Sequence, residues 1–262
     1  MLGLFRKRLY LTLNLGFSFL FILGYFANIG LSKPLSDWKF YQKHGHKDSK
    51  WNNFVEEGFT AYDIADCTTT LQKLQEAIGL GCQDPIVYFK FAICSEATGS
   101  IYSATQYYEL AAKGLKSLKA SHPYQREIHE NFGRLLFAQK KWTQAFEQLR
   151  TASSVGNPSF ALFFMLAELY SMKGEHDLAA ENYSKAISQP TTNIKPEMLG
   201  KAYREIARAL LKQKNYSQGL EFIKRARELL PNDLDLTTLY NQASSGLQQN
   251  QLIQTLESFK TK

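Results

Sequence analysis

The sequence predicts an all-α chain: a solenoid of about five helix pairs with capping helices after it and a single membrane-spanning helix before it. Three observations carry that prediction. Between Phe160 and Asn193, apolar and small residues recur at helical spacing in two runs, Phe163, Leu166, Ala167 and Tyr170, then Ala179, Tyr183 and Ala186. Sliding this stretch back 34 residues lays Phe132, Gly133, Leu136, Ala145, Leu149 and Ala152 on Leu166, Ala167, Tyr170, Ala179, Tyr183 and Ala186. Near the start, Leu9 to Leu31 runs 23 residues without a charge.

Met1 to Arg8 forms a short basic tail carrying Arg6, Lys7 and Arg8. The following 9–31 stretch would reach about 34 Å as a helix, enough to cross a bilayer core. Tyr10 and Tyr25 lie near its ends, Trp38 and Tyr41 follow at headgroup distance, and Pro34 ends the helix. A cleavable secretory signal would also begin with basic residues. Its apolar region is shorter, and the small-x-small matches here, Gly30-Leu31-Ser32 and Ala27-Asn28-Ile29, are poor. An uncleaved anchor is therefore expected, with secretion after cleavage as the alternative. The cluster at Arg6 to Arg8 favours an exported solenoid, although Lys33, Lys39 and Lys43 blunt the asymmetry.

Residues 32–50 read as a polar basic linker. The first 50 residues hold eight Lys and Arg against Asp37 and Asp48, whereas residues 51–262 hold 23 against 22 acids. Of the formal charge of +7, all but one unit thus belongs to the segments flanking the span. A near-neutral solenoid does not suggest nucleic acid as its ligand.

Extending the register gives repeats starting at Trp51, Pro85, Arg126, Phe160 and Gly200, spaced by 34, 41, 34 and 40 residues. The excess falls in Lys119 to Gln125 and Ile194 to Leu199, between repeats, where insertion costs little. In the central stretch the expected helices are Pro158 to Lys173 and His176 to Ser188, joined at Gly174-Glu175. The copy from Pro85 keeps Phe91, Ala92, Gly99, Ala104, Tyr108 and Ala111. The copy from Gly200 keeps Tyr203, Ile206, Ala207, Tyr216, Ala226 and Pro231, with Gly219 in place of an alanine. The first copy keeps Gly58, Leu74 and Ala77 but has Thr70 where alanine is expected. The repeats fill residues 51–233. Residues 234–262 read as two capping helices, one capped by Asn232 and running to about Ser245, the other from Asn250 to Lys260 with Leu252, Ile253, Leu256 and Phe259.

This pattern resembles the tetratricopeptide repeat (TPR), in which a small residue of the first helix meets a bulky one of the second. The resemblance implies a right-handed superhelix whose first helices line a concave groove, and a scaffold that binds protein or peptide partners rather than one reaction. Transferred to this chain, the groove positions are Val55, Phe59 and Tyr62, then Ile86, Phe89 and Ile93. Later repeats give Glu130, Arg134 and Phe137, then Phe164, Glu168 and Met172, and finally Lys201, Arg204, Arg208 and Lys212. The last four cations share one stripe, where they repel unless something acidic is bound or nearby. Glu205 on the adjoining face balances them in part. At the other end, packing under the linker or an amino-terminal helix explains the apolar set better than an open groove does. A groove open at both ends would suit a segment with an apolar half and an acidic half. The clamp by which relatives capture an acidic carboxy terminus has no counterpart, because Glu130, Arg134, Met165, Lys201 and Glu205 include no asparagine.

No catalytic, cofactor or metal motif stands out. There is no HExxH, P-loop or GxSxG, and Gly79-Leu80-Gly81 lacks a preceding strand and a third glycine. His44 and His46 lie in the linker beside lysines, and His129 and His176 read as satisfied surface groups. Asn182-Tyr183-Ser184 and Asn215-Tyr216-Ser217 match a glycosylation sequon at packed positions. Cys67, Cys82 and Cys94 fit no zinc spacing. They read as three free thiols, or one disulfide if the domain is exported. The sequence thus points to a membrane-tethered adaptor without catalysis; the alternative is an exported subunit with a structural role in a cell-envelope assembly.

Overall fold

A computed structural model of the protein describes residues 49–116, 122–191 and 193–260, and the side chains of 258–260 are not among them. The basic tail, the 9–31 span and nearly all of the 32–50 linker lie outside the described residues. Among the described residues there are eleven helices and no strand, and no helix is long and apolar enough to cross a membrane. They are α1 (Asn52–Asp63), α2 (Cys67–Gly79), α3 (Pro85–Ala97), α4 (Ile101–Lys116), α5 (Gln125–Ala138), α6 (Trp142–Ser153), α7 (Phe160–Met172), α8 (His176–Ile187), α9 (Pro196–Lys212), α10 (Tyr216–Leu229) and α11 (Leu234–Lys260). The chain divides into a unit ending at Ala111 and a unit beginning at Ala112.

Five helix pairs turn in the same way. The residue in the left-handed region between the paired helices is Ala65, Gly99, Lys140, Gly174 and Lys214 in turn. Each turn closes with a six-residue hydrogen bond: Asp66 N–H to Ala61 O, Ser100 to Ser95, Lys141 to Leu136, Glu175 to Tyr170, and Asn215 to Leu210. These are Schellman C-caps, which satisfy carbonyls that the helix end leaves orphaned. Their spacing repeats the 34, 41, 34 and 40 residues read from the apolar pattern.

In the first unit, Gly58 of α1 faces Leu74 of α2, and a Cβ built on it would lie 2.9 Å from Leu74 Cγ. Thr70, the departure from alanine, is buried because its hydroxyl donates to Asp66 O at 2.7 Å and reaches Gly58 O at 3.4 Å. Asp84 caps α3 by accepting from Ile86 N–H at 2.7 Å, and Pro85 opens it where no N–H is needed. Helix α3 is apolar on nearly every side because it packs between neighbours. Cys67 of α2 and Cys94 of α3 form a disulfide with Cα atoms 4.9 Å apart. Two of the three cysteines expected as free thiols are therefore joined, and Cys82 remains a buried thiol. Closing a loop of this length contributes about 3 kcal/mol through the unfolded state.

In the second unit, Gly133 of α5 lies against Leu149 of α6, Ala167 and Tyr183 share a core with Ala202 and Ile206, and Ala207 and Ile223 share another with Leu236 and Ala243. Three expectations about boundaries change here. Helix α7 begins at Phe160 rather than Pro158, since Ser159 caps it by accepting from Leu162 N–H at 3.1 Å. Helix α9 begins at Pro196, so part of the segment expected as an insertion becomes an added turn; Ile194, Met198 and Leu199 pack on the α7–α8 core. The two expected capping helices are one helix of 27 residues. Asp233 rather than Asn232 sits at its start, accepting from Asp235 N–H at 2.9 Å. Gly246 does not break the helix: the Tyr216 ring packs where its side chain would be.

Two substitutions of opposite sign test this packing. A methyl at Gly133 would lie 2.7 Å from Leu149 Cγ, so Gly133→Ala should lower stability by about 1–2 kcal/mol despite its better helix propensity. Lys140 carries a side chain at φ 59°, so Lys140→Gly should raise stability by about 0.5–1 kcal/mol. Urea unfolding followed by circular dichroism checks both.

Candidate functional site

The site is the exposed side of the first helices in the second unit, α5, α7 and α9, with the start of α11. Side chains of one first helix reach the start of the next. Glu130 of α5 pairs with Arg126 at 2.7 Å and accepts from Ser159, the N-cap of α7. Glu168 of α7 pairs with Lys201 of α9 at 2.6 Å and also accepts from the Tyr183 hydroxyl. Arg204 of α9 reaches Asp233 at 2.5 Å and Glu205 at 2.9 Å. Arg208 touches Glu205 and Asp235, each at 3.3 Å.

The four cations are therefore not a bare basic stripe. Lys201, Arg204 and Arg208 are matched by Glu168, Glu205, Asp233 and Asp235, and Lys212 is the exposed one, with no ion pair among the described residues. Arg204 is the most enclosed, its side chain 18% exposed against 39% for Lys201 and 38% for Arg208. Burial works against the Arg204 charge, but its bonds to Asp233 and Glu205 outweigh it and hold the group above its ordinary value. The Tyr183 phenol is pushed up by burial, and the neighbouring Glu168 carboxylate reinforces the shift. Beside Lys212 lies a shallow hollow lined by Ser171, His176, Tyr183, Glu205 and Arg208.

Three of the aromatic positions expected in the groove, Phe59, Phe89 and Phe164, are core. Phe59 and Phe89 are buried, Phe59 beneath the Lys90 ammonium at 5.1 Å and Phe89 against Tyr108 with ring centres 6.1 Å apart. Phe164 is buried between Phe160 and Tyr183, at 5.7 and 5.5 Å. Val55 and Ile86, expected beside them, are buried as well, whereas Tyr62, Ile93 and Phe137 are half-buried. Arg134 is half-buried on α5, and Met172 is exposed at the end of α7. Asp233 and Asp235 are the contributors that sequence reasoning missed. The signal was a separation of 29 residues, shared by Glu130–Ser159 and Arg204–Asp233.

His129 is also reassigned. It is buried rather than a surface group, with Nδ1 2.7 Å from Gln148 Oε1 of α6.

No protein-family model matches the chain, and no curated protein matches it. Solved structures do. A crystal structure of MamA protein is 18% identical over 69% of this chain and 92% of its own, with a TM-score of 0.52. YrrB, described as a TPR protein with an unusual peptide-binding site, is 12% identical over 79% of this chain and 97% of its own, with a TM-score of 0.54. The fold is of the tetratricopeptide-repeat type. At these identities the likeness is one of fold.

A pH prediction follows from His129. Burial holds its imidazole below the ordinary 6.5, with the Lys116 charge acting the same way and the Gln148 bond opposing. The unfolded chain therefore takes up a proton as pH falls through 6.5 while the folded chain does not. Stability should fall across that range and level off once the folded ring protonates. His129→Gln should flatten the dependence of the urea midpoint between roughly pH 7.5 and 5.5. An unchanged slope would assign the dependence to other groups.

Proposed function

We propose that the protein is a membrane-tethered adaptor that holds a partner polypeptide along the first-helix face of its second unit, with no covalent chemistry. The observation that carries this reading is an open hollow lined by Arg208 and the exposed Lys212, with half-exposed Lys201 on the same helix and exposed Met172 at the end of α7, on a TPR-type scaffold. Such a surface suits a segment with an acidic end on α9 and an apolar residue near Met172. Phe59, Phe89 and Phe164 are spent on the core, so the apolar share of the contact is small. Because internal carboxylates already occupy Lys201 and Arg208, an incoming acid competes with them, and recognition is tuned for selectivity more than strength.

Tethering belongs to the proposal and rests on the uncharged 9–31 stretch. The Cys67–Cys94 disulfide supports an oxidising compartment for the repeats, since such bonds persist mainly outside the cytosol. Carbonate washing of membranes should leave the chain with the lipid. Release would favour the exported structural subunit instead.

Partner binding is tested by charge reversal at the exposed site. Lys212→Glu should weaken capture of the crosslinked partner about fivefold and reduce its salt dependence, while leaving the unfolding midpoint unchanged. Arg204→Glu should instead lower stability, because it places a carboxylate between Asp233 and Glu205. Full capture by both Lys212→Glu and Arg208→Glu would overturn this face as the binding surface.

A further inference from the structure

The turns that join paired helices in the second unit are rich in lysine. Lys140 and Lys141 lie between α5 and α6, Lys173 between α7 and α8, and Lys214 between α9 and α10, with Lys212 ending α9. All five are exposed, and none forms an ion pair among the described residues. The acids at this edge are Glu175 and Asp177. Connections at the opposite edge lack this bias: 154–159 carries no charge, 188–195 only Lys195 and 230–233 only Asp233. The lysine edge is also continuous. Trp142 meets Phe137 edge-on at 5.2 Å, and Phe146, one turn further along α6, meets Tyr170 of α7 at 5.2 Å. The Lys173 ammonium lies 3.6 Å from the centre of the Phe146 ring, and Ser171, His176 and Lys212 line one hollow. Among the lysines, Trp142 and Leu178 are 37% and 40% exposed, in the first turns of α6 and α8.

We propose that this edge docks on a lipid surface carrying anionic headgroups. Each cation near such a surface gains from its negative potential, and five lysines against two acids give the edge the charge to respond. All five are lysine, whereas the ion-paired face of α9 uses Arg204 and Arg208. An arginine fork suits a planar, bidentate partner such as a carboxylate or a nucleic-acid phosphate; lysine is a mobile point charge, suited to a diffuse charged layer. The lysine stems, the Trp142 indole and the Leu178 side chain also suit the boundary between headgroups and acyl chains, which an acidic polypeptide does not offer. This inference goes beyond partner binding. Lys212 alone belongs to both surfaces, and the test leaves it unchanged.

The Trp142 indole serves as the probe, since Trp38→Phe and Trp51→Phe leave it the one tryptophan of the full-length chain. Vesicles of phosphatidylcholine brominated on its acyl chains should quench its fluorescence when phosphatidylglycerol is mixed in, and not without it. Combining Lys140→Glu with Lys141→Glu should lower the ratio of docked to undocked chains about tenfold or more, given the gain per cation near an anionic surface. Lys214→Glu, on a different turn, should weaken quenching as well, with the far-ultraviolet circular dichroism kept in each case. These reversals separate the contact from attachment through residues 9–31, which they do not touch. Equal quenching with and without phosphatidylglycerol, no quenching in either, or quenching that survives the reversals would overturn the proposal. Absent quenching together with partner capture that Lys212→Glu weakens would leave the partner face standing and remove this one.

Discussion

The structure depends on close approach of paired helices at one point in each repeat. A small residue in the first helix sits sixteen positions before a bulky one in the second: Gly58 and Leu74, Ala92 and Tyr108, Gly133 and Leu149, Ala167 and Tyr183, Ala207 and Ile223. All ten are buried. At Gly58 and Gly133 even one methyl would collide with the leucine opposite. That constraint sets the spacing between paired helices, and the Schellman turn fixes how the chain reverses between them. The rest of each unit is packing added around this contact.

The same constraint explains what could be read in advance. Small and bulky residues at fixed separation leave a trace in any sequence, so the odd spacings were legible from the small residues Gly58, Ala92, Gly133, Ala167 and Ala207. Boundaries were less so. Ser159 and Asp233 act as caps through side-chain bonds that periodicity does not register. The extra turn at Pro196 exists because Met198 and Leu199 find a core to cover, a tertiary gain invisible in a local pattern. Helix α11 runs through Gly246 for a similar reason, with Tyr216 filling the space beside it.

The candidate site was harder to foresee because charge pairing is set by three-dimensional register. One helix shows Lys201, Arg204, Arg208 and Lys212 as a repulsive stripe, yet Glu168, Asp233 and Asp235 arrive from other elements to neutralise most of it. These ties also link successive first helices, so the surface available to a partner is itself part of what aligns the repeats. A polypeptide bound there would exchange ion pairs rather than meet free cations, which favours discrimination among partners over affinity. Buried His129 shows the opposite case, a polar group that looks available in the sequence and is occupied within the core.

Hydrogen exchange resolved by peptide across residues 49–260 bears most directly on the claim that the register between small and bulky residues holds each pair together. Segments containing Gly133 and Leu149 should show matched slow exchange, as should those containing Ala167 with Tyr183 and Ala207 with Ile223, since paired helices open as units. Slow exchange in α5, α7 or α9 alongside fast exchange in its partner helix would contradict it.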